Sequence, residues 1–134
     1  MHEVSEKTRA GRRKKTAEIF TPPELVNEIL DKLPPESWEE DKTFCDPAAG
    51  NGAFLVEVYK RKVEVHGHDP IKALSTIDGV ELMEDNTKEM KSRLFYMAAR
   101  YVEKNEGKMI KALRILQKNI VCHDALTYDF NFSE

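Results

Sequence analysis

The chain predicts an α/β domain with three layers, in which a short parallel sheet of strand order 3-2-1 is flanked by helices. Three observations carry that prediction. Apolar residues recur at helical spacing in several segments (Leu25 to Leu33, Ala53 to Tyr59, Met90 to Val102, Met109 to Gln117). Between them lie short β-rich runs that end on acids at Asp46, Glu81 and Asp124. Strands separated by helices call for right-handed crossovers and hence parallel pairing.

The bounds set by composition are simple. At 134 residues this is one domain with a modest core, burying roughly two-thirds of its unfolded surface. No run of about 18 apolar residues and no signal-peptide pattern is present, so a cytoplasmic protein without a membrane partner is expected. Cys45 and Cys122 fall in strand-like runs and read as buried small hydrophobes. If their strands flank a middle one they stand about 10 Å apart, too far for a disulfide. Net charge is −3, but residues 1–15 carry six basic side chains against Glu3 and Glu6, so this arm is +4 and the remainder −7. Residues 1–15 therefore read as a basic flexible arm and 16–134 as the folded domain. Either the arm is a solvated terminus or its Arg9, Arg12, Arg13, Lys14 and Lys15 contact nucleic-acid phosphates.

In chain order, Thr21 and Glu24 form a capping-box pattern around Pro22, which suits a first helical position. Leu25, Val26, Ile29, Leu30 and Leu33 then make one apolar stripe, closed by Pro34-Pro35. Glu36 to Lys42 reads as an acidic linker. Thr43 to Leu55 gives a strand, a glycine turn and a helix start. Gly50 and Gly52 permit a sharp turn and are expected to leave amides at the helix start uncovered. A phosphate loop would need Lys and Ser or Thr after Gly52, where Ala53-Phe54 stand, and a dinucleotide fingerprint would need a small residue at Leu55. An acid, Asp46, beside an open turn suits a cationic or amino-bearing ligand. The helix from Ala53 ends in Lys60-Arg61-Lys62, and Val63 to Leu74 reads as a loop. His66 and His68 lack the further ligands a metal site requires. Ser75 to Leu82 is a second strand, whose terminal Glu81 can accept ribose hydroxyls. Asn86 can cap a helix running to about Asn105, Gly107 interrupts, and Asn119 to Leu126 supplies a third strand and an acidic turn.

The stretch Asp46-Pro47-Ala48-Ala49-Gly50-Asn51-Gly52-Ala53-Phe54 resembles motif I, Asp-Pro-x-x-Gly-x-Gly-x-Phe, of the S-adenosylmethionine-dependent DNA amino-methyltransferases of the adenine-N6 type, the enzymes of many restriction–modification systems. Phe20-Thr21-Pro22-Pro23 is similar to motif X, Gly79-Val80-Glu81-Leu82 to motif II, and the turn at Asp124 to motif III. The resemblance implies a partial Rossmann-like methyltransferase fold, S-adenosylmethionine as cofactor and DNA as substrate. It also implies a cofactor set of Phe20, Thr21, Asp46, Ala48, Gly50, Gly52, Phe54, Glu81, Leu82, Asp124 and Ala125. In the family the glycine turn underlies the methionine part and Phe20 covers it. The first acid acts near its amino group, the second near its ribose, and Asp124 accepts from the adenine amine.

Motif IV, Asp/Asn/Ser-Pro-Pro-aromatic, which holds a flipped base, is absent. Both Pro-Pro pairs are followed by Glu and Asp69-Pro70-Ile71 does not match, so no catalytic residue is assigned. Three readings follow: the cofactor-binding component of a DNA adenine methyltransferase whose second polypeptide supplies motif IV, a non-catalytic S-adenosylmethionine binder or regulator, and an inactive remnant. The Thr43-Phe44-Cys45 strand is also expected to leave an open edge that pairs with the second polypeptide or with a second copy.

Overall fold

A computed structural model describes residues 20–130, so the basic arm lies outside the described residues. Three parallel strands, β1 (Phe44–Asp46), β2 (Ile77–Glu81) and β3 (Ile120–Cys122), form one sheet in the order β1-β2-β3. This is the expected topology, with β2 in the middle. Phe44 pairs with Ile77 and Gly79 with Ile120, so by alternation Phe44, Asp46, Ile77, Gly79, Glu81 and Ile120 share a face.

The helices are α1 (Pro23–Asp31), α2 (Ala53–Glu64), α3 (Pro70–Ser75), α4 (Glu84–Tyr101) and α5 (Glu106–Asn119). A Cβ built on Gly79 would meet Leu55 of α2, Met90 of α4 and Ile120 of β3. The helices of both crossovers therefore pack on the same face of the sheet, around Leu55, Val58, Tyr59, Leu74, Ile77, Met90, Leu94, Ala98, Leu116 and Ile120. No described helix is long and apolar enough to cross a membrane.

Several local expectations are corrected. Helix α1 starts one residue later than the capping box required: Pro22 is its N-cap, Pro23 its first residue, and no side chain caps it. Of its stripe, Val26 and Leu30 are buried while Leu25 and Ile29 remain exposed. The acidic linker contains a 3₁₀ turn, Pro35–Trp38, whose Trp38 is buried between Phe44 at 5.1 Å and His66, stacked on it at 5.0 Å. Arg61 and Lys62 do not form a solvated helix end. Arg61 Nη1 lies 2.8 Å from the Asp31 carboxylate and its Nη2 donates to Asn27 Oδ1, tying α2 to α1. Lys62 is fully buried, donating to Lys42 O and Thr76 Oγ1 at 2.7 Å each and standing over the Phe44 ring, and burial pushes its pKa down to about 8.

The expected loop at 63–74 is half helix, because Asp69 caps α3 through the amides of Ile71 and Lys72. Gly107 lies inside α5, which Asn105 caps, and the break before it falls at Glu103 and Lys104, both with positive φ. Met83, not Asn86, caps α4. Both cysteines are exposed rather than buried: Cys45 projects from an edge strand on the face opposite Phe44, and Cys122 ends β3.

Gly52, the N-cap of α2, has φ +93°, and a Cβ there would lie 2.7 Å from Met90 Cγ. Gly52→Ala is expected to lower stability by about 2–4 kcal/mol, from left-handed strain and overpacking. Urea denaturation checks this, and Met90→Ala in the same chain should return part of the loss.

Candidate functional site

The carboxyl ends of the strands define one edge of the sheet, where open α/β folds bind ligands. The turn after β1 crosses that edge, and it is held by four internal hydrogen bonds. Ala48 N donates to Asp46 Oδ1 at 3.0 Å, Ala49 N to Val80 O at 3.0 Å, Gly50 N to Glu81 Oε1 at 2.9 Å and Gly52 N to Ala49 O at 2.9 Å. These bonds engage the amides of the turn and of the N-cap Gly52; the amides of Ala53, Phe54 and Leu55, at the helix start expected to be uncovered, are not among them. The turn is a ledge held by these four bonds.

That ledge floors a small cavity of about 110 Å³ lined by Phe20, Thr21, Asp46, Ala48, Ala49, Gly50, Asn51, Ala53 and Phe54. Six of the sequence-assigned residues, Phe20, Thr21, Asp46, Ala48, Gly50 and Phe54, come together here. Phe20 lies over Gly50, its Cδ1 3.4 Å from where a Cβ would stand. Gly52 is buried behind the ledge, against Met90. Burial, and then the charge of Glu81, hold the Asp46 carboxyl above the ordinary carboxylate range despite the bond from Ala48 N. Two acids on one sheet edge create a negative potential that a cationic group relieves. Asn51 adds a buried Oδ1 with no hydrogen-bond partner among the described residues.

Glu81 is itself buried. Oε1 accepts from Gly50 N, and Oε2 from Met83 N and Asn86 Nδ2 at 3.1 Å each. Leu82, next along the chain, is 62% exposed on the same edge. Asp124 and Ala125 follow β3, two strands away from the cavity. The Asp124 carboxylate accepts from Leu126 N at 2.9 Å, shaping its own turn, and Ala125 is half-buried. Six of the eleven assigned residues thus line the cavity, and Gly52, Glu81, Leu82, Asp124 and Ala125 stand outside its lining. The sequence reading missed Asn51, Asn86 and Arg93, whose Nη1 donates to Asn51 O at 3.1 Å. The spacing of 86, 90 and 93 on α4 is their one signal.

The small parallel sheet flanked by helices is a partial Rossmann-like fold, and the family follows from comparison: residues 5–119 match the model described as N-6 DNA Methylase, and the chain belongs to that family. Among curated proteins it is similar to the Type II methyltransferase M.VspI of Vibrio sp. (strain 343), 39% identical over 54 residues, a stretch amounting to 38% of this chain and 13% of that protein. The match thus spans a small part of that relative's length. No solved structure matches the chain.

A carboxyl whose pKa is raised in the folded state stabilises the fold fully below its unfolded pKa, and this contribution is lost as pH rises through the folded value. Ionisation of Asp46 as pH rises is therefore unfavourable to the fold of the ligand-free protein. Asp46→Asn, which keeps an acceptor for Ala48 N, is expected to raise the urea midpoint at pH 7 and to leave it near wild type at pH 3.5.

Proposed function

We propose that this chain binds S-adenosylmethionine at the carboxyl edge of its sheet and serves as the cofactor-binding component of a DNA adenine-N6 methyltransferase. The observation that carries this reading is the cavity beneath Phe20, where Asp46 stands on the same edge as Glu81. The donor set suits the cofactor's amino-acid end: an ammonium beside Asp46 meets an anionic site, and the unpartnered Asn51 Oδ1 offers it an acceptor. A cavity of about 110 Å³ takes that end alone, and the remainder extends along the edge.

When bound, the cofactor supplies a methyl group activated for transfer to an amine. Phe20 and Thr21 cover its methionine part and exclude water. Glu81 accepts from the ribose, Leu82 and Ala125 offer apolar surface to the adenine, and Asp124 accepts from its amine. Arg9, Arg12, Arg13, Lys14 and Lys15 make salt-sensitive contacts with DNA phosphates. No Asp/Asn/Ser-Pro-Pro-aromatic motif occurs in these 134 residues; the group that holds the flipped adenine lies outside them, in this reading on a second polypeptide.

That polypeptide docks along β1, which pairs only with β2 among the described residues. A groove of about 310 Å³, lined by Ile29, Leu30, Leu33, Phe44, Cys45, Asp46, Phe54, Leu55 and Val58, runs beside it. Unpaired strand groups flanked by apolar side chains make a template for an added strand.

Calorimetry should show S-adenosylmethionine binding that weakens by about 1–3 kcal/mol in Asp46→Ala or Glu81→Ala, the cost of unpaired polar partners. Wild-type affinity in both would overturn the site assignment. Tritiated methyl transfer to unmethylated DNA should be absent with this chain alone and appear when a polypeptide carrying Asn/Asp-Pro-Pro-aromatic is added. Binding without transfer under any pairing would select the non-catalytic binder, and a stable homodimer in light scattering would assign the β1 edge to a second copy.

A further inference from the structure

Three side chains of α4, Asn86, Met90 and Arg93, stand at i, i+4 and i+7 and so share one face of the helix. Met90 and Arg93 meet the glycine turn directly, and Asn86 reaches it through Glu81. Asn86, fully buried, donates from Nδ2 to Glu81 Oε2 at 3.1 Å, and the other oxygen of that carboxylate accepts the Gly50 N–H at 2.9 Å. Met90, also fully buried, fills the space beside Gly52. Arg93 Nη1 donates to Asn51 O at 3.1 Å. None of the three lines the cavity.

The backbone they brace needs bracing. Gly50 and Gly52 sit at φ +57° and +93°, in a region that a flexible glycine segment leaves readily unless its surroundings over-determine it. The Glu81 bond fixes the peptide plane entering Gly50, and the Arg93 bond fixes the one leaving Asn51. We propose that Asn86 and Arg93 are positioning residues that hold the Gly50-Asn51-Gly52 turn in its ligand-binding geometry, Asn86 by orienting Glu81 and Arg93 by direct donation. Losing either lets the turn sample other conformations, and apparent affinity falls in proportion to the fraction of molecules that remain competent.

The inference rests on the cofactor reading for its binding consequence alone, so the test has two arms. In the ligand-free protein, amide hydrogen exchange at Gly50 should quicken about tenfold in Asn86→Leu, which keeps approximate size and loses the donor without adding charge, and in Arg93→Ala, a tenfold change corresponding to about 1.4 kcal/mol. Arg93→Lys, which keeps a donor, should exchange like wild type, and the urea midpoint of Arg93→Ala should stay near that of wild type. S-adenosylmethionine affinity should fall in Asn86→Leu and Arg93→Ala by the factor by which the competent fraction derived from that exchange falls, and be kept in Arg93→Lys. Unchanged Gly50 exchange in Arg93→Ala, or acceleration matched by an equal rise at core amides such as Val80, would overturn the proposal. Quickened Gly50 exchange in the variants, together with a wild-type protein that binds no S-adenosylmethionine, would overturn the cofactor reading and leave the positioning role standing.

Discussion

The hydrogen bond from Gly50 N to Glu81 Oε1 is the constraint on which the rest of the site depends. It fastens the turn that follows β1 to the end of β2, and with Ala49 N on Val80 O it extends the pairing of the two strands beyond their short ladder. A buried carboxylate is tolerated only when its oxygens are satisfied, and here three donors converge on it from the turn, from Met83 and from Asn86. The ledge, the cavity above it and the helix behind it are all arranged about that one side chain. Glu81 is therefore both a structural joint and the acid assigned to the ribose, and a ligand that reaches it must share a carboxylate already in use.

Much of this was legible in the sequence. Strand order and the glycine turn followed from periodicity, from the acid-ended strand runs at Asp46, Glu81 and Asp124 and from the paired glycines, because these are local patterns with few structural solutions. What escaped notice was non-local. Lys62 reads as part of a basic helix end, and only the approach of Lys42, Phe44 and Thr76 turns it into a buried tie between strand and helices. Trp38 sits in an acidic stretch, and its burial is decided by His66 and Phe44, each closing from another element. Asn86 has the right chemistry for a cap, but the helix already starts at Glu84, so Asn86 lies in its first turn and its Nδ2 donates to Glu81 instead. Cys45 reads as a core residue because strand residues usually are, yet on an edge strand the face opposite the helices is left open.

Asp46 shows the opposing demands on such a site. Its burial and its proximity to Glu81 oppose ionisation, so the ligand-free protein carries an unfavourable charge at the cavity floor. A neutral side chain would suit the fold better, and an ionised one suits a cation better. Local conflict between stability and ligand chemistry is a familiar signature of functional positions.

The bracing of the turn has a consequence for how the site is assembled in time. Gly50 reaches its carboxylate across 31 residues of chain and Asn51 its guanidinium across 42, so neither bond forms until β2 has paired and α4 has docked. Such distant closures follow local helix formation in folding. The glycine stretch is thus a late product of the whole domain rather than a motif with a shape of its own, and transplanted without its β2 acid and its α4 brace it would keep its letters and lose its ledge.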